Sequence, residues 1–165
     1  AQKPPPHAEA SVIWPIETGG HNMRIVIIDG QGGGIGRQLA ELLKERGMAD
    51  AITVVGTNAV ATSNMMRAGI ASGATGENAV AYNSRHADIL AGPIGIMFPN
   101  AMLGEITPAM AAAIGESAAQ KVLIPVSGMQ SRHAHIVGLV HKPLTELLAE
   151  AADSIERLAA SGTVG

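Results

Sequence analysis

The stretch RIVIIDGQGGGIGRQLAELL, Arg24 to Leu43, constrains this chain more than any other. Ile25 to Ile28 are all β-branched and read as a buried strand. The chain turns at Asp29-Gly30 and passes through Gly30, Gly32, Gly33, Gly34 and Gly36. Apolar residues then recur at Ile35, Leu39, Leu42 and Leu43, the spacing of a helix packed along one side. Strand, glycine loop and helix start form the layout of a phosphate cradle. Glycines let the backbone approach an anion, and the unpaired N–H groups of the first helical turn face it with the positive end of the helix dipole behind them. The expected ligand is a nucleotide or another phosphate, held by Asp29, Gly30, Gln31, Gly32, Gly33, Gly34, Ile35 and Gly36. The plain alternative is a tight turn whose glycines only permit close helix–strand packing.

The rest of the chain continues the alternation. Gly47 reads as the end of the first helix. Ile52 to Val55 reads as a second strand, and Ala59 to Ala68 as a short helix. GIASGATGEN, Gly69 to Asn78, reads as a loop, with Gly73 to Asn78 placed to close over the site, and Ala79 to Tyr82 as a weak strand. Asp88 to Ala91 and Lys121 to Val126 are further strands, and His135 to Leu139 a last one. Thr107-Pro108 opens a helix, with Thr as cap and Pro in its first turn. Pro143 starts a final helix, with Leu144, Leu147, Leu148, Ala151, Ile155 and Leu158 on one face.

Alternating strands and helices imply an α/β class: a doubly wound, mostly parallel, Rossmann-like sheet with helices on both faces. Ligands bind such sheets outside the carboxyl ends of the strands. The loops 29–36, 56–58, 92–95 and 127–134 are expected to meet there. Thr57, Asn58, Glu77, Asn78, Gly92, Pro93, Ile94 and Gly95 therefore join the expected cofactor contacts. The domain is expected over residues 23–160. Residues 1–22, with AQKPPPHAEA and the apolar SVIWPI, read as an extended or disordered extension, and residues 161–165 as a flexible tail.

Composition excludes several classes. Only Trp14, Tyr82 and Phe98 are aromatic, so the core is built from Ala, Ile, Val, Leu and Met. A net charge of −3, without a basic run or a stacking platform, argues against nucleic acid as a partner. With no cysteine, disulfides, zinc–thiolate sites and a cysteine nucleophile are all ruled out. No apolar run is long enough for a membrane partner, and no secretory core precedes the domain, so the expected setting is cytoplasmic. Charged residues are only 15% of the chain, and Met65, Met66, Met97 and Met102 suggest an apolar patch; a homo-oligomer is expected.

The loop does not fit G-x-G-x-x-G. Its spacing at Gly30, Gly34 and Gly36 is G-x-x-x-G-x-G, which resembles the cofactor loop of the short-chain dehydrogenases. That resemblance implies NAD or NADP. The chain departs from it at Asp29, a carboxylate that repels phosphate unless a cation or hydroxyl intervenes. The family's Tyr-x-x-x-Lys relay is absent, since Tyr82 is followed four positions later by His86. The acid that would bind ribose hydroxyls after the second strand is replaced by Thr57 and Asn58. An oxidoreductase with an atypical site is therefore the alternative to a non-catalytic, regulatory nucleotide binder. VVGTNAVAT and GATGEN also resemble the layout of tubulin-like guanine-nucleotide binders, although GPIGIMFP stands where their Gly/Thr-rich phosphate loop belongs. Taken together, VIIDGQGGGIG, VGTNAVATSNM, GATGENAV, GPIGI and LGEITPAMA resemble a family of short bacterial proteins of unknown function. That resemblance implies one domain and no particular activity.

Two metal readings complete the expectations. His133 and His135 would share a face of a strand, with His141 close by and Met129 as a soft ligand, a set suited to Zn, Ni or Cu. Solvated loop histidines are the plain alternative. Asp29, Glu77 and Glu105 lie near the expected crevice, where one or two of them plus phosphates would hold Mg. For Glu105 the plain reading is an acid favoured by a helix start.

Overall fold

A computed structural model describes residues 22–126 and 134–162. The sequence expectations for most of residues 1–22, for His133 and Met129, for loop residues 127–133 and for 163–165 lie outside the described residues.

Strand β1 (Ile25–Asp29) is buried along its whole length, as its unbroken apolar run requires. It leads through the glycine loop into helix α1 (Gly34–Glu45). Next come β2 (Ile52–Gly56), α2 (Ala59–Met66), β3 (Ser72–Thr75), α3 (Glu77–His86) and β4 (Ile89–Pro93). Helix α4 (Pro108–Glu116), β5 (Gln120–Ile124) and α5 (Leu144–Ser161) complete the described elements. All strand pairs are parallel, in the order β3-β2-β1-β4-β5.

The side-chain alternation of β1 divides the core. Ile25 and Ile27 pack with Leu39 and Leu43 of α1, Met65 of α2 and Leu148, Ala152 and Ile155 of α5. Val26 and Ile28 face the other way, against Val80 of α3 and Met110 and Ile114 of α4. Helices thus cover both faces, and the fold is the doubly wound, Rossmann-like α/β arrangement expected. The core is aliphatic and methionine-rich, as the scarcity of aromatics dictates. Strand order reverses between β1 and β4, so the crevice at their carboxyl ends is the topological switch point.

Two local expectations are corrected. Ala79 to Tyr82 lies inside α3, and the strand on that side is Ser72–Thr75, within the stretch expected to be a closing loop. Ser-Gly-Ala-Thr has no apolar signature because β3 is an exposed edge strand. Its Gly73 leaves room for Met66, whose sulfur would lie 2.5 Å from a Cβ there. Ala-Val-Ala-Tyr alternates like a strand, but Glu77 in the first turn and Arg85 and His86 in the last suit a helix dipole. Residues 135–139 form no strand either: Gly138 has φ +81° and Leu139 N–H donates to Ile136 O in a turn. The shared-face argument for His133 and His135 loses its basis with that strand.

Candidate functional site

The loop between β1 and α1 is shaped by its peptide groups. Gly33 N–H donates to Gly30 O at 2.9 Å, closing a turn in which Gln31 holds φ +50°. Gly33 has φ +69°, and a Cβ there would lie 2.6 Å from Ala61 O, so only glycine fits. Asn58 caps α2 with its Oδ1, which accepts from Ala61 N–H at 2.9 Å, and its Nδ2 donates to Gln31 O at 3.0 Å. Asn64 Nδ2 donates to Gly32 O at 2.7 Å, while its Oδ1 accepts from Arg37, which also pairs with Glu41. Helix α2 therefore holds the loop's carbonyls on its own side. In a planar trans peptide the N–H points opposite to the C=O, so Gly32 N–H faces away from α2. Among the described residues, the N–H groups of Gly32 and Gly34 have no partner. Both residues are exposed, with open space where a side chain would stand.

The Asp29 carboxylate is taken up by backbone N–H groups of the loop and helix. It is buried, with Oδ1 accepting from Gly30 N–H at 2.7 Å and Oδ2 from Gly36 N–H at 2.8 Å. The carboxylate fills the inner part of the helix N-terminus where an anion would otherwise be attracted. Burial raises its pKa above the ordinary aspartate range and the Glu105 charge adds to the rise, against the bonds from Gly36, Gly30 and Ile35 that pull it down. Of the phosphate cradle read from the sequence, only the outer N–H groups remain open.

An open cleft of about 330 Å³ lies over the switch point, lined by Asp29, the loop from Gly30 to Ile35, Gln38, Pro93, Met102 and Val126. The loops 29–36 and 92–95 meet there as expected, but only Pro93 of the second lines the cleft among the described residues. Ile94 begins a 3-10 turn, Ile94–Met97, within which Gly95 is buried. Gly92 belongs to β4, and a Cβ on it would lie 2.2 Å from Ile28 O. The two strands approach so closely at the switch point because no side chain intervenes.

On the β2 side of the loop the crevice is closed by Glu105. Its Oε2 accepts from Gln31 N–H at 2.6 Å, Thr57 Oγ1 at 2.7 Å and Asn58 Nδ2 at 3.2 Å. Partial burial pushes its pKa up, but these three bonds outweigh that and leave it below the ordinary glutamate range. Reading Glu105 as an acid at a helix start missed this. Glu105 reaches the end of β2 from a loop 48 residues further along the chain, and no local pattern announces it. Glu77 stands apart from this group and accepts from the hydroxyl of Thr107, the residue that caps α4. Asn78 follows it in the first turn of α3.

The remaining candidates are scattered. Tyr82 is exposed on α3 with its ring 4.4 Å from that of His86, and neither lines the cleft. His135 and His141 are exposed. Among the described residues, no three His, Asp or Glu side chains are grouped so as to hold a metal ion. Met65 and Met102 are core residues rather than parts of a surface patch. No helix of the described residues is long and apolar enough to cross a membrane.

The chain belongs to the family described as Domain of unknown function (DUF3842), whose model matches residues 24–160. No curated protein and no solved structure matches it.

Proposed function

We propose that this domain binds a nucleotide or dinucleotide through its phosphate, at the outer face of the glycine loop, and acts as a binding or regulatory protein rather than as an oxidoreductase. One observation carries the reading: the N–H groups of Gly32 and Gly34 are unpaired, exposed and beside an open cleft at the switch point of a parallel sheet. Asp29 supports it because both oxygens of its carboxylate are engaged by the N–H groups of Gly30 and Gly36, which leaves the Gly32 and Gly34 N–H groups open. Met102, Pro93 and Val126 supply an apolar wall suited to a base. The placement of Tyr82 outside the cleft supports a role without proton relay. NAD, NADP, ADP and GDP, each with and without Mg, are the ligands to test. A homo-oligomer is part of the proposal, on apolar side chains left exposed between Ile136 and Leu144.

The test is calorimetric titration of the wild-type chain and of Gly34→Leu with these four ligands. A side chain at Gly34 meets nothing within 4 Å, so it projects into free space over the loop and leaves the fold in place. Binding to the wild type and its loss in the variant is the expected result. Equal binding by both chains would remove the loop from the site.

A further inference from the structure

We infer that Gln31 N–H, the Thr57 hydroxyl and the Asn58 side-chain amide form a second anion-accepting site, occupied in the resting protein by Glu105 as an internal stand-in for a ligand's phosphoryl or carboxylate group. The choice of ligand class rests on the nucleotide reading above; the site itself does not.

Three donors from two loops converge on a single oxygen, at 2.6, 2.7 and 3.2 Å. A partly exposed glutamate is ordinarily solvated and needs no such set, whereas one oxygen receiving several fixed donors is how an anionic ligand is held. The donors are positioned without Glu105. Gln31 is fixed by the loop turn and by Asn58 on its carbonyl, Thr57 N–H continues the sheet to Asp29 O, and Asn58 is anchored as the cap of α2. The floor of the site is Gly30, where a Cβ would lie 2.8 Å from both Glu105 Oε2 and Thr57 Oγ1. Glycine at this position leaves room both for the Met102 sulfur, 2.5 Å from where a Cβ would stand, and for the carboxylate oxygen.

The segment that delivers Glu105 holds three of the four non-glycine residues with left-handed φ among the described residues. Asn100, Met102 and Leu103 hold φ of 65°, 56° and 58°, left-handed values that non-glycine residues rarely adopt. Leu103 is 85% exposed. Such backbone persists only where other contacts hold it, and the bonds to Glu105 are contacts of that kind. An incoming anion that takes over the three donors lets the segment relax. Gln31 immediately precedes Gly32, so the two sites share one loop and present its N–H groups on different sides.

The inference is tested with inorganic phosphate as the probe, by calorimetry and by the amide shift of Gln31 in nitrogen–proton correlation spectra. Glu105→Ala is expected to bind phosphate about tenfold more tightly than the wild type, because the competing carboxylate no longer keeps most molecules closed. The Gln31 amide is expected to move on titration. Adding Thr57→Val to that variant should remove most of the gain. Glu105→Gln keeps the size of the side chain and loses its charge; it should show a smaller gain, and it carries the test if Glu105→Ala fails to fold. Unchanged or weaker phosphate binding in the folded variants would overturn the inference, as would a gain that survives Thr57→Val. Gly34→Leu combined with Glu105→Ala separates the two sites: phosphate should still move the Gln31 amide even if no nucleotide binds the glycine loop.

Discussion

The carboxylate of Asp29 lies 2.8 Å from the backbone nitrogen of Gly36, so the last residue of the central strand caps the helix that follows it. Strand and helix are tied at the point where a bound phosphate would otherwise supply the negative charge. Removing the carboxylate leaves Gly30 and Gly36 N–H groups buried without an acceptor. Asp29→Ala is expected to cost about 1–3 kcal/mol for each group left unpaired, measured by urea unfolding, with Asp29→Asn losing less because one oxygen remains. An unchanged unfolding midpoint in both variants would show that water replaces the carboxylate.

The two acids of the site oppose each other in pH dependence. Asp29 has a raised pKa, so its contribution to stability is fully present below the ordinary aspartate value and is lost as pH rises through the raised one. Glu105 has a lowered pKa, so its contribution is present above the ordinary glutamate value and lost as pH falls through the lowered one. Subtracting the pH–stability profile of Asp29→Asn from that of the wild type should therefore give a difference that falls with pH. The same subtraction with Glu105→Gln should give one that rises, and a small one, because that side chain is partly solvated. Two differences that change with pH in the same direction would contradict the assignment.

The loop turn makes a third expectation. Gly33 combines φ +69° with a carbonyl, Ala61 O, 2.6 Å from where a Cβ would stand. The left-handed conformation alone costs an L-residue about 1–2 kcal/mol, and the backbone contact adds to it. Gly33→Ala should lower the melting temperature clearly, while Gly34→Ala, one residue on in open space, should leave it nearly unchanged. The pair separates glycines kept for shape from those kept for access.

How much of this was legible depended on the range of the interaction. β1, β2, β4 and β5 were readable because apolar β-branched runs and short apolar stretches mark buried strands. Thr107 and Pro108 marked the start of α4 through local hydrogen-bond chemistry, and the apolar face of α5 repeats over eighteen residues. β3 was not readable, since Ser-Gly-Ala-Thr at a sheet edge buries nothing that composition would reveal. The bond of the Asp29 carboxylate to Gly36 N–H and the reach of Glu105 to Gln31 were also hidden. The first depends on which way one side chain rotates, and the second joins residues seventy-four positions apart.

The last expectation concerns the surface beyond β5. That strand is an edge of the sheet, and the segment leading to α5 leaves Val137 98% and Val140 68% exposed. Leu139, Val140 and Leu144 border a groove with Pro125, Val126 and Leu147. Apolar side chains gathered at the surface beside an edge strand are costly in water and favour covering by another chain. Charged residues make up only 15% of this sequence, so little repulsion opposes a second copy. Light scattering at micromolar concentration is expected to give twice the chain mass of 16.8 kDa. Val137→Asp combined with Val140→Asp should return the mass to that of one chain with the melting temperature of the isolated domain little changed, because neither side chain packs in the core. A wild-type chain that is monomeric under these conditions would contradict the oligomer, and a variant that remains dimeric would move the interface to another face.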